Sequence, residues 1–258
     1  MPSPKSRTDD HMCHWNTRVN RRLALALLVV LLTGVGGYML TERLYAQVLY
    51  EWAWNDLNLR RPAIAVQRLE KAITFEPSDP DLWMRLGDAH HLLAAMQPVA
   101  DGLKNVREAQ TAFATAFALN PLDAEAAYRT AAEAALDDVV SADLYEKPSD
   151  SPYSARHYFE EALRLRPGSV RYHHAYARYL SAIEDTAALA QVVENTVQLY
   201  PHIVKQLLKE PLWTAEVHAA AARGLEKAIS GGVHADLAGR MMGVISDTTV
   251  TDQQVEKK

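Results

Sequence analysis

The sequence predicts an all-α fold, a solenoid of helical hairpins preceded by one transmembrane helix at the N-terminus. Three observations predict it. Residues 23–40 read LALALLVVLLTGVGGYML, eighteen residues without a charge. Four segments end alike: AITFEP at Pro77, AFALNP at Pro121, ALRLRP at Pro167 and TVQLYP at Pro201. Between these stops the chain is rich in alanine, with only 11 Gly and 12 Pro in 258 residues. Alanine loses no side-chain entropy on ordering, so such stretches favour helix.

The apolar segment comes first. Eighteen helical residues rise roughly 27 Å, close to the thickness of a hydrocarbon core. A core helix of a soluble protein carries a polar face, and this segment has none. Five basic residues precede it (Lys5, Arg7, Arg18, Arg21 and Arg22), and only Arg43 and Arg60 lie in the twenty residues after it. The positive-inside bias then makes residues 1–22 a cytoplasmic tail and sends the rest outside. A cleaved signal peptide is the rival reading. Its basic start fits, but a 22-residue lead is long, and Val35-Gly36-Gly37 is a poor cleavage site. Gly34 and Gly37 stand three apart, which is not the four-residue spacing of a helix-dimerisation motif.

The repeats follow. Each shared segment is the last turn of an amphipathic helix stopped by proline, which cannot continue a helix. The prolines lie 44, 46 and 34 residues apart. Offsets within the stopped helices also recur. Ala65, Leu69 and Ala72 precede Pro77 as Ala109, Phe113 and Ala116 precede Pro121, and as Ala155, Phe159 and Ala162 precede Pro167. Trp83, Leu86 and Gly87 mark the helix before one of them. Small residues let paired helices approach, and the bulky one fills the gap. The fourth unit is degenerate, with Leu189, Val193, Thr196 and Pro201. The first helix of the third has Ala127, Thr130 and Ala131 in place of the Trp-Leu-Gly pattern.

These residues resemble the tetratricopeptide repeat family, whose unit is about 34 residues. The resemblance implies units at about 46–79, 80–123, 124–169 and 170–203. Two units exceed the family length, and the excess is expected as loops at about 97–107 and 141–152, the second reading SADLYEKPSDSP. Capping helices are expected at about 212–229 and 233–245 within residues 204–246, with a flexible tail at 247–258.

Chemistry is thinly represented. The formal net charge is -5, so there is no electrostatic reason to bind nucleic acid. Cys13 is the lone cysteine, so no internal disulfide forms. The adjacent pairs His90-His91 and His173-His174 point about 100° apart on a helix and do not chelate one ion. His11, Cys13 and His14 read as incidental tail residues. Asp137, Asp138, Asp143, Glu146 and Asp150 lack the spacing of a calcium loop. No phosphate loop, nucleophile elbow or HExxH motif occurs. The expectation is a protein without catalytic residues, metal or cofactor.

The resemblance points instead to a concave groove lined by the inner helix of each unit. Carried over by register, its positions hold Tyr50, Trp54, Met84, Asp88, His91, Tyr128, Arg171, His174 and Arg178, with Arg85 and Arg129 one position beyond. Aromatic, Met and Arg residues are favoured at binding surfaces. Tyr128, Arg129, His174 and Arg178 are expected near the centre, and Arg171 and Arg178 to favour a guest with carboxylates. The alternative is that these arginines pair with Glu125 or Glu133 and that Trp54 and Tyr128 pack between helices. The Lys/Asn carboxylate clamp of some family members is missing here. The resemblance thus implies a membrane-anchored scaffold holding a protein or peptide. It would sit in a bacterial inner membrane with the repeats periplasmic, as in envelope assembly, secretion or cytochrome c biogenesis. A structural subunit of a larger membrane complex, with the groove permanently filled, is the second implication.

Two measurements check the anchor. A C-terminal reporter is expected to be active only outside the cytoplasm, and the chain is expected to resist carbonate washing. Cytoplasmic activity, or full release, rejects the anchor.

Overall fold

The computed structural model describes residues 9–143, 153–207, 214–232 and 234–255, and every regular element among them is helical. Four hairpins follow one another. They are α1 (Asp9–Asn58) with α2 (Pro62–Phe75), α3 (Pro80–Ala95) with α4 (Val99–Leu119), α5 (Ala124–Asp143) with α6 (Ala155–Leu165), and α7 (Val170–Ala182) with α8 (Thr186–Leu199). A 3-10 turn (Pro201–Ile203) and a short α9 (Val204–Leu207) lead to α10 (Ala215–Ser230) and α11 (Ala235–Val255).

One local device ends the outer helix of every hairpin. The last residues before the prolines are Glu76, Asn120, Arg166 and Tyr200, and all four have φ between -133° and -138° with ψ between 69° and 83°. The following proline clashes with an α-conformation at that position and pushes the backbone out of it. Each of these N–H groups still donates back into the helix, to the carbonyls of Ala72, Ala116, Ala162 and Thr196. The chain then turns, with Asp79, Asp123, Ser169 and Ile203 N–H bonding three residues back. In the first three turns that residue caps the next inner helix, because Asp79, Asp123 and Ser169 accept from N–H groups two or three residues on.

The small positions lie at helix crossings. Ala65, Ala72, Ala109, Ala116, Ala155 and Ala162 are all buried, as are Leu69, Phe113 and Phe159. Gly87 shows why size matters there. A Cβ at this position would stand 2.5 Å from the Phe113 ring. The degenerate fourth unit packs in the same manner, with Leu189, Val193 and Thr196 buried. Its hairpin turn puts Glu184 at φ 59°, with Asp185 N–H bonded to the Leu180 carbonyl, and Arg60 takes the same left-handed position in the first hairpin.

The expected loop at 97–107 is not a loop. Residues 99–107 form the first turns of α4, and only 96–98 connect it to α3. The reason is an apolar stripe at helical spacing, with Leu103, Val106, Gln110 and Phe113 all buried. Gly102 lets this stretch pass the Ala94 carbonyl, 3.0 Å from where a Cβ would stand. The second excess begins as helix too, since α5 runs to Asp143; the rest of 141–152, with Glu146, Asp150 and the side chain of Asp143, lies outside the described residues. The two extensions pack on one another, Arg107 of α4 meeting the buried Asp137 of α5 at 3.1 Å and Ser141 at 3.4 Å.

The boundaries expected near the N-terminus also merge. Helix α1 continues from Asp9 through residues 23–40 into the first inner helix at Ala46, Leu49 and Ala53, which are buried against α2. No proline interrupts it. One stretch, Leu27–Asn58, is long and apolar enough to cross a membrane by length and composition, and none of its most apolar window is buried. The His11, Cys13 and His14 side chains lie outside the described residues. At the other end α11 continues to Val255, where a loose tail from 247 was expected, because no Gly or Pro follows Gly243. Its Ala238, Met241 and Ile245 cover the last hairpin together with α10.

Gly87→Ala is expected to overpack the α3–α4 crossing and cost about 1–3 kcal/mol, and Ala72→Leu, Ala116→Leu and Ala162→Leu are expected to do the same at theirs. Thermal melting reads the loss. Four unchanged melting temperatures would contradict the packing register.

Candidate functional site

The inner helices α3, α5 and α7 bring the expected groove residues into two separate groups. The first is a polar network at the α1–α3–α5 end. Arg85 donates to the Tyr50 hydroxyl at 3.2 Å and to Asp88 at 3.1 Å, and its guanidinium lies 4.0 Å over the Trp54 ring. Arg129 donates to Glu125 at 3.0 Å and approaches Asp88 at 3.8 Å. Met84 lines the same polar recess of about 350 Å³.

Glu125 is the hub of this network. Besides Arg129 it accepts from the Tyr172 hydroxyl at 3.0 Å and pairs with Arg171. Arg171 in turn lies 4.6 Å from the Tyr128 ring centre, and Tyr128 stacks on the buried Tyr172 at 4.6 Å. Arg171 and Tyr128 are therefore occupied within the protein, as the alternative sequence reading allowed. Tyr128 packs on its neighbours instead of standing in an open pocket. His174 lines a separate small recess with His173, Ala177, Val193, Thr196 and Ile203.

The second group is an apolar groove. Its main part, about 420 Å³, runs along α5 and α7 between Ala132, Ala135, Leu136, Val139, Ala175, Arg178 and Ala182. A second part of about 230 Å³ shares His91 and Leu136 with it and reaches Val99, Leu103 and Val106. The extra turns of α4, with Leu136 and Val140 of α5, thus form the far wall of the groove. The first excess stretch carries apolar helical spacing, which is the signal that would have placed it here. Of the eleven expected residues, only His91 and Arg178 line this space.

Arg178 is exposed, and among the described residues it makes no hydrogen bond or ion pair. Close by, the Tyr179 hydroxyl donates to Asp138 at 3.2 Å. Burial, with the Asp138 charge and hydrogen bond, pushes the Tyr179 phenol up to about 12. Burial also raises Asp138, against the lowering effect of that hydrogen bond. Two other histidines serve the fold: His90 bonds Asn105 at 3.1 Å, and His173 donates to the Pro167 carbonyl at 2.9 Å, its pKa lowered by burial.

His91 joins the two parts of the groove and ties α3 to α5. Its Nδ1 stands 2.6 Å from Glu133 Oε1, and Glu133 is buried to 2% exposure. The hydrogen bond to Glu133 raises the His91 pKa above 6.5, outweighing its partial burial.

Geometry and repetition together define a tetratricopeptide-type solenoid with an apolar groove along its inner helices. The family model of the plant specific mitochondrial import receptor subunit TOM20 matches residues 64–199, more than half of the chain, and the chain belongs to that family. The match runs from the first turn of α2 to the end of α8 and leaves α1 outside. Three solved structures are also similar. MamA 41-end from Desulfovibrio magneticus RS-1 is 16% identical over 80% of this chain and 96% of that one, with a TM-score of 0.47. The MamA RS-1 ArsTM double mutant is 16% identical over 81% and 97%, at 0.48. A crystal structure of MamA is 11% identical over 78% and 96%, at 0.46. No curated protein matches the chain.

The His91–Glu133 pair fixes a pH window. A raised histidine pKa contributes stability that is full below 6.5 and is lost as pH rises through the folded midpoint. The His91 imidazole is expected to titrate above 6.5 by NMR, and Glu133→Gln to lower that midpoint. A midpoint at or below 6.5 in the wild type, or one unmoved by the substitution, would show that the pair does not form.

Proposed function

We propose that this chain is a non-catalytic, membrane-tethered scaffold that holds a polypeptide segment in the α3–α5–α7 groove. The observation that carries the proposal is the groove itself. It is open, walled by alanine, leucine and valine, and edged by one cation without an internal partner, Arg178. Such a surface takes apolar side chains along its length and a carboxylate at Arg178, through a charge-assisted hydrogen bond. The polar network at the α1 end is already internally paired, and it offers a guest little net charge.

The family supports a receptor role by its name, which describes an import receptor subunit. The uncharged residues 23–40 and the basic residues before them support a tether, with the repeats on the far side of the membrane from the N-terminus. We place the chain in a bacterial cytoplasmic membrane with its groove facing outward, serving envelope assembly, secretion or cytochrome c biogenesis. A folded guest subunit would need a far larger interface than the groove provides, so a short extended or helical segment suits it better.

Fluorescence anisotropy against a panel of apolar peptides, with and without an acidic residue, tests the groove. Acidic members are expected to bind more tightly. Arg178→Ala is expected to remove that preference, about fivefold or more for a charge-assisted bond. Leu136→Asp is expected to abolish binding of both kinds, and neither variant is expected to shift the melting temperature by more than a surface change does. Unchanged affinity in both variants would move the binding surface elsewhere.

A further inference from the structure

One face of α1 is left largely exposed by the solenoid. Ala46, Leu49 and Ala53 turn inward to α2 and its neighbours. On a separate face Leu31, Tyr38, Tyr45 and Trp52 recur at intervals of seven, with exposures of 62%, 64%, 40% and 53%. Leu27, Gly34, Thr41, Val48 and Asn55 recur at the same interval between them, and all are exposed. Together these residues alternate by three and four along one helix, which is the spacing of a coiled-coil seam. None of the nine is charged.

We infer that α1 pairs with α1 of a second copy of this chain, in parallel, along the seam from Leu27 to Asn55. Several features commit the seam to a second copy. A strict seven-residue repeat drifts about 20° per heptad around a straight helix, so only a partner with the same repeat follows it, by supercoiling. In a parallel two-fold pair each layer meets its own copy. Tyr38, Tyr45 and Trp52 would then form like pairs of aromatic rings, and no layer sets like charges together. Gly34 has nothing within 4 Å of a built Cβ, so a second backbone can approach there.

The area is sufficient. The exposed parts of these side chains amount to roughly 600 Å² per chain, or about 1,200 Å² for the pair, at the lower end of stable interfaces. Lipid does not serve as the alternative cover for the whole seam. It runs roughly 40 Å along the axis, longer than a hydrocarbon core, so Tyr45, Val48 and Trp52 stand beyond a span over residues 23–40. At the upper layers α2 touches the seam residues from one side, and Tyr45 meets Phe75 edge-on with ring centres 5.1 Å apart. Lys71 lies 5.3 Å over Tyr45 and Arg68 lies 5.5 Å over Trp52, both from the α2 side. The parallel sense rests on the tether proposed above, because two chains inserted alike in one membrane point the same way; the pairing itself rests on the seam.

Cysteine mapping of the full chain tests this. In a Cys13→Ser background, single cysteines replace Thr41, Val48 or Asn55 on the seam, Glu51 or Asn58 on its flank, and Leu40, Arg43 or Gln47 on the opposite side. After mild oxidation in membranes or detergent, the seam set is expected to give disulfide-linked dimers at about tenfold higher yield than cysteines at Leu40, Arg43 or Gln47 on the far side, with the flanking Glu51 and Asn58 in between, since bridging needs Cα atoms within about 7 Å. Bridges at all three seam layers show the parallel pair, while an antiparallel pair bridges at one layer only. Equal yields around the helix, or none, overturn the inference, as does a monomer by light scattering in the same detergent. Bridging at all three layers together with a cytoplasmic C-terminal reporter would remove the tether and keep the dimer; the opposite pair of results would remove the dimer alone.

Discussion

The rest of this structure depends on a steric conflict between a proline ring and the residue before it. At Glu76, Asn120, Arg166 and Tyr200 that conflict pulls the backbone to one repeated conformation while the N–H group still closes the last helical turn. The same stop, made four times, gives the same exit direction four times. Three of the four turns then supply the side chain that starts the next helix. Repetition of a local event of this kind is enough to build a solenoid, because each hairpin needs only its neighbours to bury its apolar face.

The small residues at the crossings depend on that regularity in turn. Ala72, Ala116 and Ala162 sit five residues before their prolines, so the stop fixes which carbonyl and which methyl face the partner helix. Gly87 against Phe113 is the tightest of these contacts. Interiors packed at crystal-like density accept few changes of volume, which explains why the offsets are more regular than the residues around them.

This division decided what could be read from the sequence. The stops, the caps and the small positions are local, so Pro77, Pro121, Pro167 and their offsets spelled out the hairpins directly. The length of α4 and α5 was less legible. Pro98, Asp101 and Gly102 have turn composition, and they hid the apolar spacing of Leu103 and Val106 that actually decides the helix. The groove residues were legible as positions and illegible as roles. Register put Arg171 and Arg178 on equivalent surfaces, but Glu125 on the neighbouring helix captures Arg171 and leaves Arg178 alone. Pairing of that kind depends on which carboxylate the next hairpin brings within reach, and a single chain read in order does not show it. For the same reason residues 99–106 looked like a loop added to the repeat, although they wall the groove.

Helix α1 has one further consequence. From Tyr38 to Asn58 it contains no glycine and no proline, and it enters the first hairpin without a break. The solenoid is therefore mounted on a rigid shaft, with no swivel between the apolar end and the groove. Each residue of such a shaft advances the mount by about 1.5 Å and turns it by about 100°. The compass bearing of the groove is in that sense a count of residues: one added between Tyr38 and Ala46 would swing it more than a quarter turn, and seven would bring it back almost to where it began, about 10 Å further out.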